Sequence, residues 1–217
     1  MLDKRFDTTG TEYEGFLNGI YKRNETFLII SAAIFLSSLF VGYLFSGVID
    51  SFMASVLKSF KQSVSKGEIK LTTLSIFMNN LKIAFYIYGG GITAGLLTVY
   101  FLVFNGIFIG YAASKFALGD FLIYTVPHGI FEVVGIIIAG AAGFRLASMI
   151  INLIRDLLRM KRYMPMGDQI SQVLDVNYPE FRESVILFVI AIVLILIGAV
   201  IEANFTLALG NYIKGSI

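Results

Sequence analysis

Long apolar runs, broken by short polar interruptions, set the pattern of this chain. A helix needs roughly 20 apolar residues to cross about 30 Å of hydrocarbon. The run from Thr26 to Gly47 meets that length without a charged residue and predicts a first membrane span over 26–47. Between Val48 and Lys70 the pattern changes. Ile49, Phe52, Met53, Val56, Leu57 and Phe60 recur at helical spacing, with Lys58 and Lys61 between them. That periodicity predicts an amphipathic helix lying at the interface. From Leu71 to Ala117 the chain is apolar for more than one crossing, so it must fold back. The glycines of "GGGITAG", Gly89 to Gly95, weaken helix and favour a turn. Spans over 71–90 and 94–117 follow.

Pro127 suits the first turn of a helix, where its missing N–H would be unpaired anyway. A fourth span is expected over 128–147, continued by a basic amphipathic extension. A polar connection follows, with a short amphipathic helix carrying Ile170, Val173 and Leu174 on one side. It leads to a fifth span over 185–209 that holds one charge, Glu202. Ahead of the first span, Tyr13, Phe16, Leu17, Ile20 and Tyr21 share one face. They predict an interfacial helix within a cytoplasmic segment, 1–25.

The expected fold is therefore all-α: a polytopic transmembrane helical bundle of about five spans plus interfacial amphipathic helices. Residues 26–217 form its single transmembrane domain. Composition agrees, since 57% of the 217 residues are hydrophobic and only 15% are charged, against about 25% in soluble domains. The N-terminus has charges of both signs and no early apolar core, so it does not read as a cleaved signal peptide. A net charge of +2 is too small to suggest nucleic acid as a partner. The lipid bilayer is the first partner expected.

Orientation follows from lysine and arginine near the spans. Arg145, Arg155, Arg159, Lys161, Arg162 and Arg182 lie between the fourth and fifth spans. That segment is expected in the cytoplasm. Five spans then put the N-terminus, with Lys4, Arg5, Lys22 and Arg23, inside and the C-terminus outside. Lys58, Lys61, Lys66 and Lys70 oppose this assignment, but the cytoplasmic cluster is larger.

Helices in lipid associate through close packing and polar contacts. Gly106 and Gly110 form a GxxxG pair, continued by Ser114. Ala139, Gly143 and Ala147 repeat at the same spacing, with Gly140 beside them. This ladder predicts that the third and fourth spans pack at the centre. A dimer seam, and hence a homo-oligomer, is the functional alternative.

An ionisable side chain in mid-membrane costs about 2.5 to 3.5 kcal/mol on insertion scales and needs a partner or a function. Lys82, His128, Glu132, Arg145 and Glu202 are the candidates. His128 and Glu132 stand four apart and share a helical face. Three readings compete. A metal site is disfavoured, because the chain has one histidine and no cysteine, and zinc takes more ligands than one pair supplies. A proton relay draws on the titration range of histidine. The plainest reading is an intramembrane polar lock joining His128 and Glu132 to Asn79, Asn80, Asn105 and Lys82. Arg145, Lys82 and Glu202 are expected to extend to the interface. No motif builds a nucleophile, base and oxyanion site, so no enzyme activity, cofactor or metal is expected.

Four stretches resemble the stage II sporulation protein M family of prokaryotic membrane proteins. They are Asn79–Asn80, "GGGITAGLLT", "NGIFIG" from Asn105 to Gly110, and "PHGIFEVVGIIIAGAAGFRL" from Pro127 to Leu146. Together they cover the central third of the chain. The resemblance implies a multi-pass plasma-membrane protein. The sporulation member is an integral membrane component of a complex that includes cell-wall hydrolases and acts in forespore engulfment. The family also occurs in prokaryotes that do not sporulate, including archaea without murein. It brings no catalytic residues.

Two functions remain open at this point. One is a non-enzymatic scaffold or assembly component of a cell-envelope membrane complex, with protein partners on its cytoplasmic helices or outer loop. The other is a transporter or permease-like subunit using the His/Glu polar site, with glycine-broken helices along its path.

Overall fold

The computed structural model describes residues 15–66, 72–160 and 165–206. Among them all regular structure is helical. Six α-helices follow in order: α1 Phe16–Leu44, α2 Asp50–Ser65, α3 Thr73–Gly89, α4 Leu96–Ser114, α5 Leu118–Leu158 and α6 Met166–Ile201. A 3-10 turn, Gly90–Thr93, ends α3, and a π-helical turn, Glu202–Thr206, ends α6.

Four helical stretches are long and apolar enough to cross a membrane: Asn18–Leu44, Leu96–Ser114, Thr125–Leu158 and Met166–Thr206. With its 17 residues, α3 falls below the usual spanning length. It nevertheless runs the depth of the bundle. Thr73, at its start, lies 3.4 Å from Asn204 near the end of α6. Beyond its other end, Gly91 packs on the Gly143 carbonyl of α5. The 3-10 turn supplies the remaining length, because it rises about 2 Å per residue rather than 1.5 Å.

Helix α5 is the axis of the bundle and packs against α1, α3, α4 and α6. Its partners meet it through a core in which Phe35, Ala84, Ile87, Leu102, Ala139, Ala142, Ala191 and Ile195 are inaccessible. Small residues set how closely the helices approach. A Cβ on Gly106 would lie 2.6 Å from the Phe35 carbonyl oxygen, and one on Gly110 would lie 2.0 Å from that of Leu39. The GxxxG pair therefore faces α1, not the α5 ladder. On α5, Gly140 meets Ser31 and Leu102, while Gly143 meets the Ile87 carbonyl and Thr98. Ala139 and Ala147 are buried beside them. Both small-residue stripes are thus consumed by packing inside one chain.

The helix boundaries depart from the sequence pattern in three places. First, the interfacial helix and first span are one helix, α1, with no break at residue 26. Residues 1–14, including Tyr13, lie outside the described residues. Second, Pro127 sits inside α5, not at its first turn. Neighbouring helices and local adjustment allow proline inside membrane helices. Third, the amphipathic stretch around Ile170 is continuous with the fifth span in α6, through Pro179. Residues 207–209 of the expected span lie outside the described residues, as do Lys161 and Arg162.

At 41 and 36 residues, α5 and α6 run about 60 and 54 Å at 1.5 Å per residue. Both exceed the roughly 30 Å of hydrocarbon. Past Arg145 and Glu183, residues 146–158 of α5 and 166–182 of α6 run side by side as a hairpin, while residues 118–127 of α5 extend past His128 at the other end.

Candidate functional site

Polar groups gather at two levels of the bundle. From Glu183 to Glu202, α6 rises about 28 Å, close to the roughly 30 Å thickness of a hydrocarbon core. The stretch between them, "SVILFVIAIVLILIGAVI", carries no charge. The two clusters therefore bracket the apolar layer and do not sit at its centre.

The first cluster lies at the end remote from the hairpin. His128 and Glu132 project from α5 one turn apart, as their spacing requires. His128 is 8% exposed. Its Nδ1 lies 3.2 Å from Thr206 Oγ1, and its Nε2 lies 3.9 Å from Glu202 Oε2. The Asn80 amide of α3 donates to Glu132 Oε1 at 2.5 Å. One ligand atom from each of His128, Glu132 and Glu202 lies within 4.8 Å of the others. Gly198 makes room for this: a Cβ there would stand 2.6 Å from Glu132 Cγ. The π-helical turn widens the end of α6 and carries both Glu202 and Thr206 toward α5.

The expected partners divide. Asn80 joins the cluster. Asn79 is half-buried on α3 and points about 100° round the helix from Asn80. Lys82 is exposed. Asn105 is buried on α4, but its amide donates to the Phe101 carbonyl of its own helix at 2.8 Å. The residues the sequence did not assign are Glu202, expected at the interface, and Thr206 and Gly198. Gly198, Glu202 and Thr206 stand four apart, and that spacing was the available signal.

The second cluster lies at the hairpin end. Glu183 of α6 is 7% exposed. It accepts from Arg145 Nη2 at 2.9 Å, from Asn24 Nδ2 at 3.1 Å, and from Arg23 Nε. Arg145 also lies over the Phe27 ring. Its side chain is 12% exposed, so at this edge of the apolar layer it is buried between helices and does not reach solvent. A buried carboxylate paired with two guanidinium groups satisfies itself without water. Asn152 donates to both Glu180 oxygens, and Asn177 donates to Asp156, continuing the α5–α6 seam into the hairpin.

A third polar group docks α2. Tyr111 and Lys115 at the end of α4 both donate to Asp50 Oδ1, at 2.7 and 2.5 Å. The Lys115 ammonium beside Asp50 holds its carboxyl below the usual carboxylate range, and the Tyr111 hydroxyl adds to this. The same contact with Asp50 raises Lys115.

Comparison with known proteins agrees with this architecture. The chain is 30% identical over 144 residues to an uncharacterised protein of the archaeon Methanocaldococcus jannaschii. That alignment covers 64% of this chain and 73% of the relative. A second uncharacterised protein of the same organism is 23% identical over 194 residues, or 85% of this chain and 83% of the relative. No solved structure matches. The family profile described as stage II sporulation protein M matches residues 31–207, from within α1 to the end of the π-helical turn; it takes in the His128 cluster and, of the other, Arg145 and Glu183 but not Arg23 or Asn24. This chain is a membrane protein belonging to the stage II sporulation protein M family.

Proposed function

We propose that the protein is a non-enzymatic scaffold that assembles a complex in the cell envelope. The observation that carries this reading is the α5–α6 hairpin. It extends past the Arg145–Glu183 layer, and its two helices are tied together by the Asn152–Glu180 and Asn177–Asp156 contacts. Along it Ile154, Leu158, Met166, Leu174 and Tyr178 are exposed, beside Arg155, Arg159 and Arg182. Apolar and arginine side chains on a rigid surface suit recognition of another protein. Arginine density near the spans argues for a cytoplasmic hairpin in a plasma membrane. The N-terminus of α1 shares its side, and α2 lies opposite.

Photocrosslinkers placed at Leu174 and Tyr178 in native membranes test this. The scaffold reading expects both positions to capture the same protein, and Leu158→Glu to abolish capture while the bundle keeps its melting temperature. Crosslinks to lipid alone at every hairpin position would overturn it.

A transport role is the second reading. The ionisable cluster at one end of the bundle and the glycine turn after α3, with Ala94 and Gly95 at positive φ, favour it. Solute or proton flux in proteoliposomes, abolished by Glu132→Gln, would support this reading over the first.

A further inference from the structure

We propose that His128, Glu132 and Glu202 bind one divalent transition metal of the zinc class. This goes beyond the scaffold reading and does not depend on it. The sequence offers only His128 and Glu132 at ligand spacing. The fold adds Glu202 from a different helix, and the three donor atoms converge within 4.8 Å.

Hydrogen bonding decides what this space accepts. Thr206 has one hydroxyl proton, and the Ile201 carbonyl of its own helix receives it at 3.4 Å. In the tautomer that carries its proton on Nδ1, His128 donates to Thr206 Oγ1 at 3.2 Å. Nε2 is then left with its lone pair, facing the Glu202 carboxylate at 3.9 Å. Two acceptors face each other at a separation too long for a hydrogen bond. Glu132 adds a third acceptor, since Asn80 occupies only its Oε1. Among the described residues, no lysine or arginine pairs with either carboxylate. A cation between the three satisfies all of them at once.

The surroundings match those of a metal site. A ligating histidine typically donates its other N–H to an oxygen, and ligating carboxylates are themselves hydrogen-bonded. Thr206 and Asn80 fill these two roles. One imidazole nitrogen and two carboxylate oxygens are ligand types that zinc takes, and they leave a fourth position open. Imidazole in the set selects against magnesium and calcium, which take oxygen ligands. The π-helical turn that delivers Glu202 is a distortion common at functional sites. The site lies at the apolar layer's edge remote from the hairpin, within reach of ions in the adjoining aqueous phase.

Cobalt(II) titration of the purified, chelator-stripped protein in detergent tests the proposal. The wild type should bind one equivalent, show visible bands of a four- or five-coordinate ion, and melt at a higher temperature. Zinc should displace the cobalt, and magnesium should not. Glu132→Gln and Glu202→Gln should each lose the bands while keeping the helical circular dichroism of the metal-free wild type. Thr206→Val should weaken binding roughly tenfold to a hundredfold, and Lys82→Ala should leave it unchanged. The proposal is overturned if the folded wild type binds no cobalt. It is equally overturned if both glutamine variants retain an unchanged spectrum, or if magnesium competes as well as zinc. A stability that varies with pH but not with metal would assign the space to a proton instead. Failure of any of these leaves the hairpin crosslinks unaffected, so the two proposals fall separately.

Discussion

Arg145 of α5 donates to Glu183 of α6 at 2.9 Å, with both side chains almost wholly removed from solvent. The pair joins the two longest helices where the apolar layer ends. Removing one partner leaves the other charge buried and uncompensated, at a cost of about 3–5 kcal/mol. Glu183→Ala should therefore lower the detergent melting temperature sharply. Arg145→Met with Glu183→Met should recover much of that loss, because an apolar pair of similar volume demands no desolvation. If Glu183→Ala melts with the wild type, the cluster contributes nothing to stability.

Gly110 and the Leu39 carbonyl define the closest approach of α4 and α1. A methyl group on Gly110 would stand 2.0 Å from that oxygen, against backbone that cannot rotate away. Gly110→Ala should cost about 1–3 kcal/mol through overpacking. Gly129→Ala is the matched control, since its nearest neighbour is a Thr125 methyl at 3.5 Å. It should be neutral. Chemical denaturation of both variants in micelles compares them directly.

His128 and Asn80 tie three helices together at the other end of the bundle. Interhelical hydrogen bonds of this kind average about 0.6 kcal/mol in membranes. Asn80→Leu should lower stability by that order, and His128→Ala by more, because it also opens a cavity. Thermal melts of metal-free protein measure this without any contribution from bound ions. No change in either variant would show that the cluster is not structural.

The seat of α2 depends on pH at both extremes. The carboxyl of Asp50 is depressed by its partners, so its contribution is present above the unfolded value of about 3.9 and is lost as pH falls through the folded value. Lys115 is raised, so its contribution is present below about 10.4 and is lost as pH rises through the folded value. A spin-label distance between α2 and α4 should stay constant from about pH 5 to 9 and lengthen in acid. Asp50→Asn should give the lengthened distance at neutral pH. A distance independent of both changes would mean that apolar contacts alone seat α2.

The sequence by itself determined that long apolar helices build the fold, the amphipathic character of α2 and the reversal at the glycine-rich turn; of the five spans it predicts, four are long and apolar enough to cross a membrane and α3 is shorter. It also placed His128 and Glu132 on one face. These features follow from length, period and backbone freedom, which are local properties. Tertiary structure alone decided which neighbour each face meets. Periodicity aligned Gly106 with Gly110 but could not say that α1, rather than α5, would fill the groove. It could not pair Glu183 with Arg145 or bring Glu202 to His128, because those contacts join residues far apart in the chain. Nor could it show that α5 and α6 pass through Pro127 and Pro179 unbroken. A lone charge or a proline reads locally as an interruption, and it becomes tolerable only when neighbouring helices supply its missing partners.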